Sequence, residues 1–157
     1  MVMGTIPYGG AGCLCAPISL VKMLVHYLSS GPGDYDYIIV DSQAGVEIFG
    51  RGLASEFDLT LVVTEPTPKS VEVAKHGSKL AKDLGVKKLV AIINKVEVED
   101  DLEFASHELK GYVDQVISIQ YDNSVKNADK KGVLLLDLYP DSPVLHDINQ
   151  VKQSITE

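Results

Sequence analysis

The sequence predicts an α/β fold: a mostly parallel sheet with helices on both faces, three layers in all. Three observations predict it. Short apolar runs rich in β-branched residues recur at Tyr37–Val40, Asp58–Thr64, Lys88–Ile93 and Val113–Ile119. Tyr37–Val40 is continuously apolar and lacks the polar alternation of a half-exposed strand, which suits a strand buried on both faces. Between these runs lie segments with apolar residues at helical spacing, and strands alternating with helices in this way make βαβ units.

In chain order, Met1–Ile6 has room for a short strand, and three glycines make Tyr8–Gly12 a loop that Cys13-Leu14-Cys15 closes. Pro17 suits a first helical turn, where its missing N–H is no loss. Ile18, Val21, Leu24, Val25 and Leu28 then share one face of a helix over about residues 17–29. Ser29–Gly33 ends it and turns the chain into Tyr37–Val40, which reads as the central strand. That strand ends at Asp41, followed at once by the small-residue turn Ser42-Gln43-Ala44-Gly45. Open α/β sheets put ligand chemistry at such a place, and a helix cap accounts for Asp41 equally well.

Val46–Glu56 follows as a short helix, and Asp58–Thr64 as a strand broken by Glu65-Pro66-Thr67-Pro68. Val73, Gly77, Leu80, Ala81 and Leu84 form one stripe of a helix over about 68–84 that stops at Gly85. The strand Lys88–Ile93 ends in Asn94-Lys95. Leu102, Ala105 and Leu109 mark a helix stopped at Gly111, and Val113–Ile119 leads to Gln120-Tyr121-Asp122. A helical turn or two over Val125–Lys130 and a last helix over 143–155 complete a single domain spanning 1–157.

A formal net charge of −8 argues against nucleic acid as a partner, since phosphate backbones are met by clustered Lys and Arg. The basic residues here are scattered, with only Lys87-Lys88 and Lys130-Lys131 adjacent. The longest apolar runs are strand-sized, so no membrane span is expected. The N-terminus has no basic segment followed by an apolar one, so it does not read as a signal peptide, and a cytoplasmic location is expected. Cys13 and Cys15 stand too close for an unstrained disulfide, which leaves them as thiols.

Four pieces in one order carry a resemblance: CxC before a helix, DSQAGVE after a strand, a strand running into a Pro-containing turn, and a strand ending in Asn-Lys. The stretches MGTIPYGGAGCLC, YDYIIVDSQAGVEIFGRG, DLTLVVTEPTPKSVEVA, INKV and IQYD resemble the MinD/ParA-type P-loop ATPases. Within them they most resemble the CooC type, which matures nickel carbon monoxide dehydrogenase. The resemblance runs through nearly all of residues 1–130, and the CxC is its specific part.

It implies a P-loop NTPase-like fold binding ATP or ADP with Mg²⁺. It puts Asp41 at the Walker B position, acting on Mg²⁺ through water, and Gly45 at the terminal phosphate. Asn94 would hydrogen-bond the adenine edge, with Gln120, Tyr121 and Asp122 along the base. Cys13 and Cys15 would meet their copies in a homodimer, forming a four-thiolate site for nickel or zinc, with carbon monoxide dehydrogenase as client. Ligand rules agree on the count: two thiolates cannot fill a tetrahedral soft-metal site, and four can. The plainer alternative is a pair of small buried hydrophobes.

No segment matches GxxxxGK[ST], the loop whose backbone N–H groups and Lys surround phosphates. Gly9-Gly10-Ala11-Gly12 lacks the Lys, and Gly77-Ser78-Lys79 lies within a helix. The sequence therefore reads as the family without its N-terminal P-loop part, with Met1 an internal start. It is expected neither to hydrolyse ATP alone nor to be more than marginally stable. Gln43 and Ile48 stand where the family often has an acid and a His. Two other functions stay open: a metal-dependent dimer or docking module without ATP, and a positioning ATPase. Residues 143–157, with one Lys, lack the basic helix face that a membrane-seeking positioning protein would use.

The acidic run Glu97, Glu99, Asp100, Asp101 and Glu103 lacks a calcium loop's spacing and suits a solvated helix start. His26, His76, His107 and His146 share no ligand spacing and read as surface residues.

Overall fold

A computed structural model describes residues 15–31, 35–42, 45–50 and 52–156. Among the described residues three strands form one parallel sheet: β1 (Leu59–Thr64), β2 (Lys88–Val96) and β3 (Gln115–Gln120), in that spatial order. β2 is central, and its Leu89–Ile93 segment is fully buried. Each strand leads to the next through a helix, as parallel neighbours require. These helices are α3 (Pro68–Asp83) and α4 (Glu99–Leu109).

Register decides which residues share a face. Leu89, Ala91 and Ile93 alternate with Val90 and Ile92, and Val62 and Val116 pair with Ala91. Ala91, Ile93, Val62 and Val116 pack with Val71 and Ala74 of α3 and Ala105 and Leu109 of α4, forming the core. Lys88 shares its parity with Val90 and Ile92, and its Nζ donates to the carbonyl of Ser154. Helix α7 (Pro143–Thr156) therefore lies on the opposite face, where it packs against β3. The predicted arrangement, helices on both faces of a parallel sheet, is the one observed.

The local signals act where expected. Thr67 caps α3, its hydroxyl accepting from the Ser70 N–H at 3.3 Å, and Pro68 opens the first turn. Asp101 reaches back to accept from the N–H groups of Glu97 (3.0 Å) and Val98 (3.2 Å), so the acidic run is a helix start. Gly132, at φ 63°, ends α5 (Asn123–Lys131). The four histidines are exposed.

Three expectations need correction. Tyr37–Val40 is not a strand: it runs outside the sheet, with Tyr37 62% and Ile39 88% exposed. An apolar, β-branched run becomes a strand only beside a strand that takes its N–H and C=O groups, and none of the described strands pairs with it. The segment Val46–Glu56 is two separate turns, α2 (Glu47–Gly50) and a 3₁₀ turn at Leu53–Glu56, joined at Gly52 with φ 69°. β2 continues past Ile93 to Val96 across a bulge.

Helix α1 (Cys15–Ser30) packs on the 3₁₀ turn, burying Val25 and Leu53, and Lys22 Nζ donates to the Gly52 carbonyl at 3.3 Å. Phe49 and Val46 in turn lie against Gly77 of α3, where a built Cβ would come within 3.3 Å of the Phe49 ring. A short helix, α6 (Leu135–Leu138), precedes α7 and carried no periodic signal. The expected strand Met1–Ile6, the loop Tyr8–Gly12, Cys13 and Gln43 lie outside the described residues.

Candidate functional site

Because the strands are parallel, their carboxyl ends meet at one edge of the sheet. That edge carries Thr64 at the end of β1 and Glu65 after it, Asn94-Lys95 near the end of β2, and Gln120 at the end of β3 with Tyr121-Asp122 after it. Register brings them together: Asn94 pairs with Ile119 and Val96 with Gln120. Four of the residues expected to face a base are thereby neighbours.

Lys95 is the residue left out of the ladder between Asn94 and Val96, and its φ is +62°. A residue with a Cβ adopts this left-handed conformation only where its surroundings hold it. Its Nζ pairs with Glu65, and that hydrogen bond raises the Lys95 pKa above the ordinary lysine value. Its backbone N–H donates to Asn94 Oδ1 at 3.0 Å. Next to it the Tyr121 N–H donates to the Val96 carbonyl at 2.9 Å, and the Tyr121 hydroxyl donates to Asn123 Oδ1 at 3.1 Å.

Asp122 is committed at both oxygens. Oδ1 accepts from the Ser124 N–H, capping α5, and Oδ2 accepts from the Ser142 hydroxyl, each at 2.7 Å. The Ser142 bond first, then the Ser124 bond, hold its carboxyl below the usual carboxylate range. Behind it the buried Asp147 of α7 accepts from the Gln120 N–H at 2.9 Å. These two carboxylates tie α7 and the loop before it to the end of β3. Asp122, Ser124 and the stretch Leu138–Pro143 line a cleft of about 410 Å³.

Asp41 is exposed and stands apart from this cluster in sequence and sheet, since residues 37–40 are not a strand. Gly45 has φ +98°, with open space where a side chain would begin, so its backbone is open to approach. Cys13 lies outside the described residues, and Cys15 is the first residue of α1. Among the described residues no group of three or more His, Cys, Asp or Glu is placed to hold a metal ion.

Sequence reasoning gave no role to Glu65, Lys95, Ser142 or Asp147. Asp147 sits in a helix with ordinary amphipathic spacing, and nothing local marks it as buried. Lys95 had a faint signal, since a polar Asn-Lys interrupts an otherwise apolar β2.

A parallel sheet, helices on both faces and polar residues gathered at the carboxyl edge define the class as a P-loop NTPase-like α/β protein. No protein-family model matches the chain. It is 33% identical over 140 residues to the carbon monoxide dehydrogenase accessory protein CooC of Rhodospirillum rubrum, covering 89% of this chain and 52% of that protein. It is 40% identical over 142 residues to an uncharacterised ATP-binding protein of Methanocaldococcus jannaschii, covering 84% and 54%. A second ATP-binding protein of that organism matches at 24% over 148 residues, covering 93% and 57%. The chain belongs to the family of the CooC accessory protein. It spans about half the length of the curated relatives it matches.

Proposed function

We propose that this chain is the base-binding and metal-binding part of a nucleotide-dependent metallochaperone that supports nickel insertion into carbon monoxide dehydrogenase. The observation that carries this is the likeness to the accessory protein CooC along 89% of the chain. The gathering of Asn94, Gln120, Tyr121 and Asp122 at one sheet edge supports it further.

In this reading Asn94 reads the adenine edge, Gln120 and Tyr121 lie along the base, and Asp122 holds their loop through Ser124 and Ser142. Asp41, a hard oxygen donor, serves Mg²⁺ through water, and Gly45 offers its N–H to the terminal phosphate. Cys13 and Cys15 from each of two subunits supply four thiolates to a cargo ion, nickel or zinc, on the dimer axis. Nucleotide state then controls whether the subunits hold that ion. A second reading is a metal-dependent dimer or docking module that works without ATP; no segment of residues 1–157 matches GxxxxGK[ST].

Titration of this chain with Mg–ADP, followed by NMR, separates the two. The first reading expects weak binding, with Kd on the order of 0.1–1 mM, about 4–5.5 kcal/mol. No binding at millimolar nucleotide leaves the second. Both expect Ni²⁺ or Zn²⁺ to produce a dimer in sedimentation. Both are lost if the double variant C13S/C15S dimerises with metal as the wild type does.

A further inference from the structure

We propose that Lys95 is a positioning residue that makes the neighbouring site select adenine over guanine. The inference rests on Asn94 facing a nucleotide base, and adds what sets its preference.

In an unbroken strand the Lys95 N–H would point along the ladder toward a neighbouring strand. The bulge and the left-handed φ of +62° turn it instead onto the side chain of Asn94, 3.0 Å from Oδ1. An N–H is met by the amide's oxygen and never by its NH₂, so this bond decides which way round the Asn94 amide sits. Oδ1 is held toward the backbone with one lone pair to spare, and Nδ2 is left as the donor. The Glu65 carboxylate, anchored at the end of β1, grips the Lys95 ammonium and holds the bulge from the other side.

An amide held this way offers one acceptor and one donor in fixed order. On its Watson–Crick edge adenine carries a donor at position 6 beside an acceptor at N1, which one ordering of the amide matches twice. Guanine carries an acceptor at position 6 beside a donor at N1, the reverse pattern, so a guanine in the same pose meets like against like. An amide free to turn over would match either base. Holding Asn94 in one orientation is therefore what separates the two.

The test is NMR titration of the chain with Mg–ADP and with Mg–GDP, for wild type, K95V and K95G. Wild type is expected to favour ADP by roughly tenfold or more, the scale of one two-bond base contact. Valine, β-branched, resists the left-handed conformation, so K95V is expected to bring the two affinities within about threefold. Glycine accepts that conformation and keeps the N–H, so K95G is expected to restore the preference.

If K95V keeps the wild-type ratio, or K95G loses it as K95V does, the inference is overturned. Equal wild-type affinities also overturn it while leaving Asn94 at a base. Failure of the wild type to bind either nucleotide removes the base reading, and this inference with it. Should K95V not fold, hydrogen exchange decides. The Lys95 amide proton is expected to be protected in wild type and to lose that protection in N94A, and unchanged protection overturns the proposal.

Discussion

Beneath α3 and α4 the centre of the sheet is closed, with Ala91, Ile93, Ala105 and Leu109 without solvent contact. On the opposite face α7 covers β3, and Val90 and Ile92 of the central strand are buried. At β1, in the same layer, Leu61 and Val63 are 38% and 62% exposed. Both faces are built from aliphatic residues of the same kind. Coverage, and not side-chain chemistry, separates them. The exposed residues Leu20, Met23 and Tyr27 of α1, and Ile39 before Asp41, teach the same lesson. An apolar pattern states that a surface favours burial, and only a packed neighbour buries it.

The largest test of this difference compares one truncation on each face. Leu109→Ala opens a cavity in the closed core and is expected to lower stability by about 2–5 kcal/mol in urea unfolding. Val63→Ala removes contacts only where solvent already reaches, and should stay within about 0.5 kcal/mol. Similar costs for the two would show that the β1 end of the second face is covered in solution.

A middle-sized effect concerns how α7 is held. Asp147→Ala removes a buried carboxylate and leaves the part-buried Gln120 N–H without its charged acceptor, for an expected loss of about 1–3 kcal/mol by the same measurement. Loss of protection at Gln120 in hydrogen exchange should accompany it. A neutral result would mean that packing alone holds α7 on β3.

The smallest expected effect is one of pH. The Asp122 carboxyl is lowered by Ser142 and Ser124, and that of Glu108 by its pairing with Lys75. A carboxylate whose folded pKa is depressed contributes stability that is complete above its unfolded value, near pH 4, and is lost as pH falls through the folded one. Asp122→Asn is therefore expected to flatten the decline in urea midpoint between neutral pH and pH 3. An unchanged slope would remove Asp122 as a pH-sensitive tie.

Much of this was legible in the chain. β2 and β3 were marked by apolar runs of strand length, and α3 by Thr67-Pro68 before a periodic stripe and Gly85 after it. Asn94 and Gln120–Asp122 were expected together through motif resemblance, and register makes them neighbours. The failure at Tyr37–Val40 is instructive, because its composition is as strand-like as that of β1. A strand is a relation between two segments, and one segment's composition cannot report whether the other is there.

The sequence by itself determined most of the local elements and the fold class, because capping, turn chemistry and hydrophobic period act within a few residues. It also determined the family, through short stretches whose order survives along the chain. Only the tertiary structure decided that Asp147, 27 residues away, accepts from Gln120, and that Asp122 is held by Ser142. It alone placed Lys95 in a left-handed bulge gripped by Glu65. Those contacts depend on strand register and helix docking, which arise when distant segments meet.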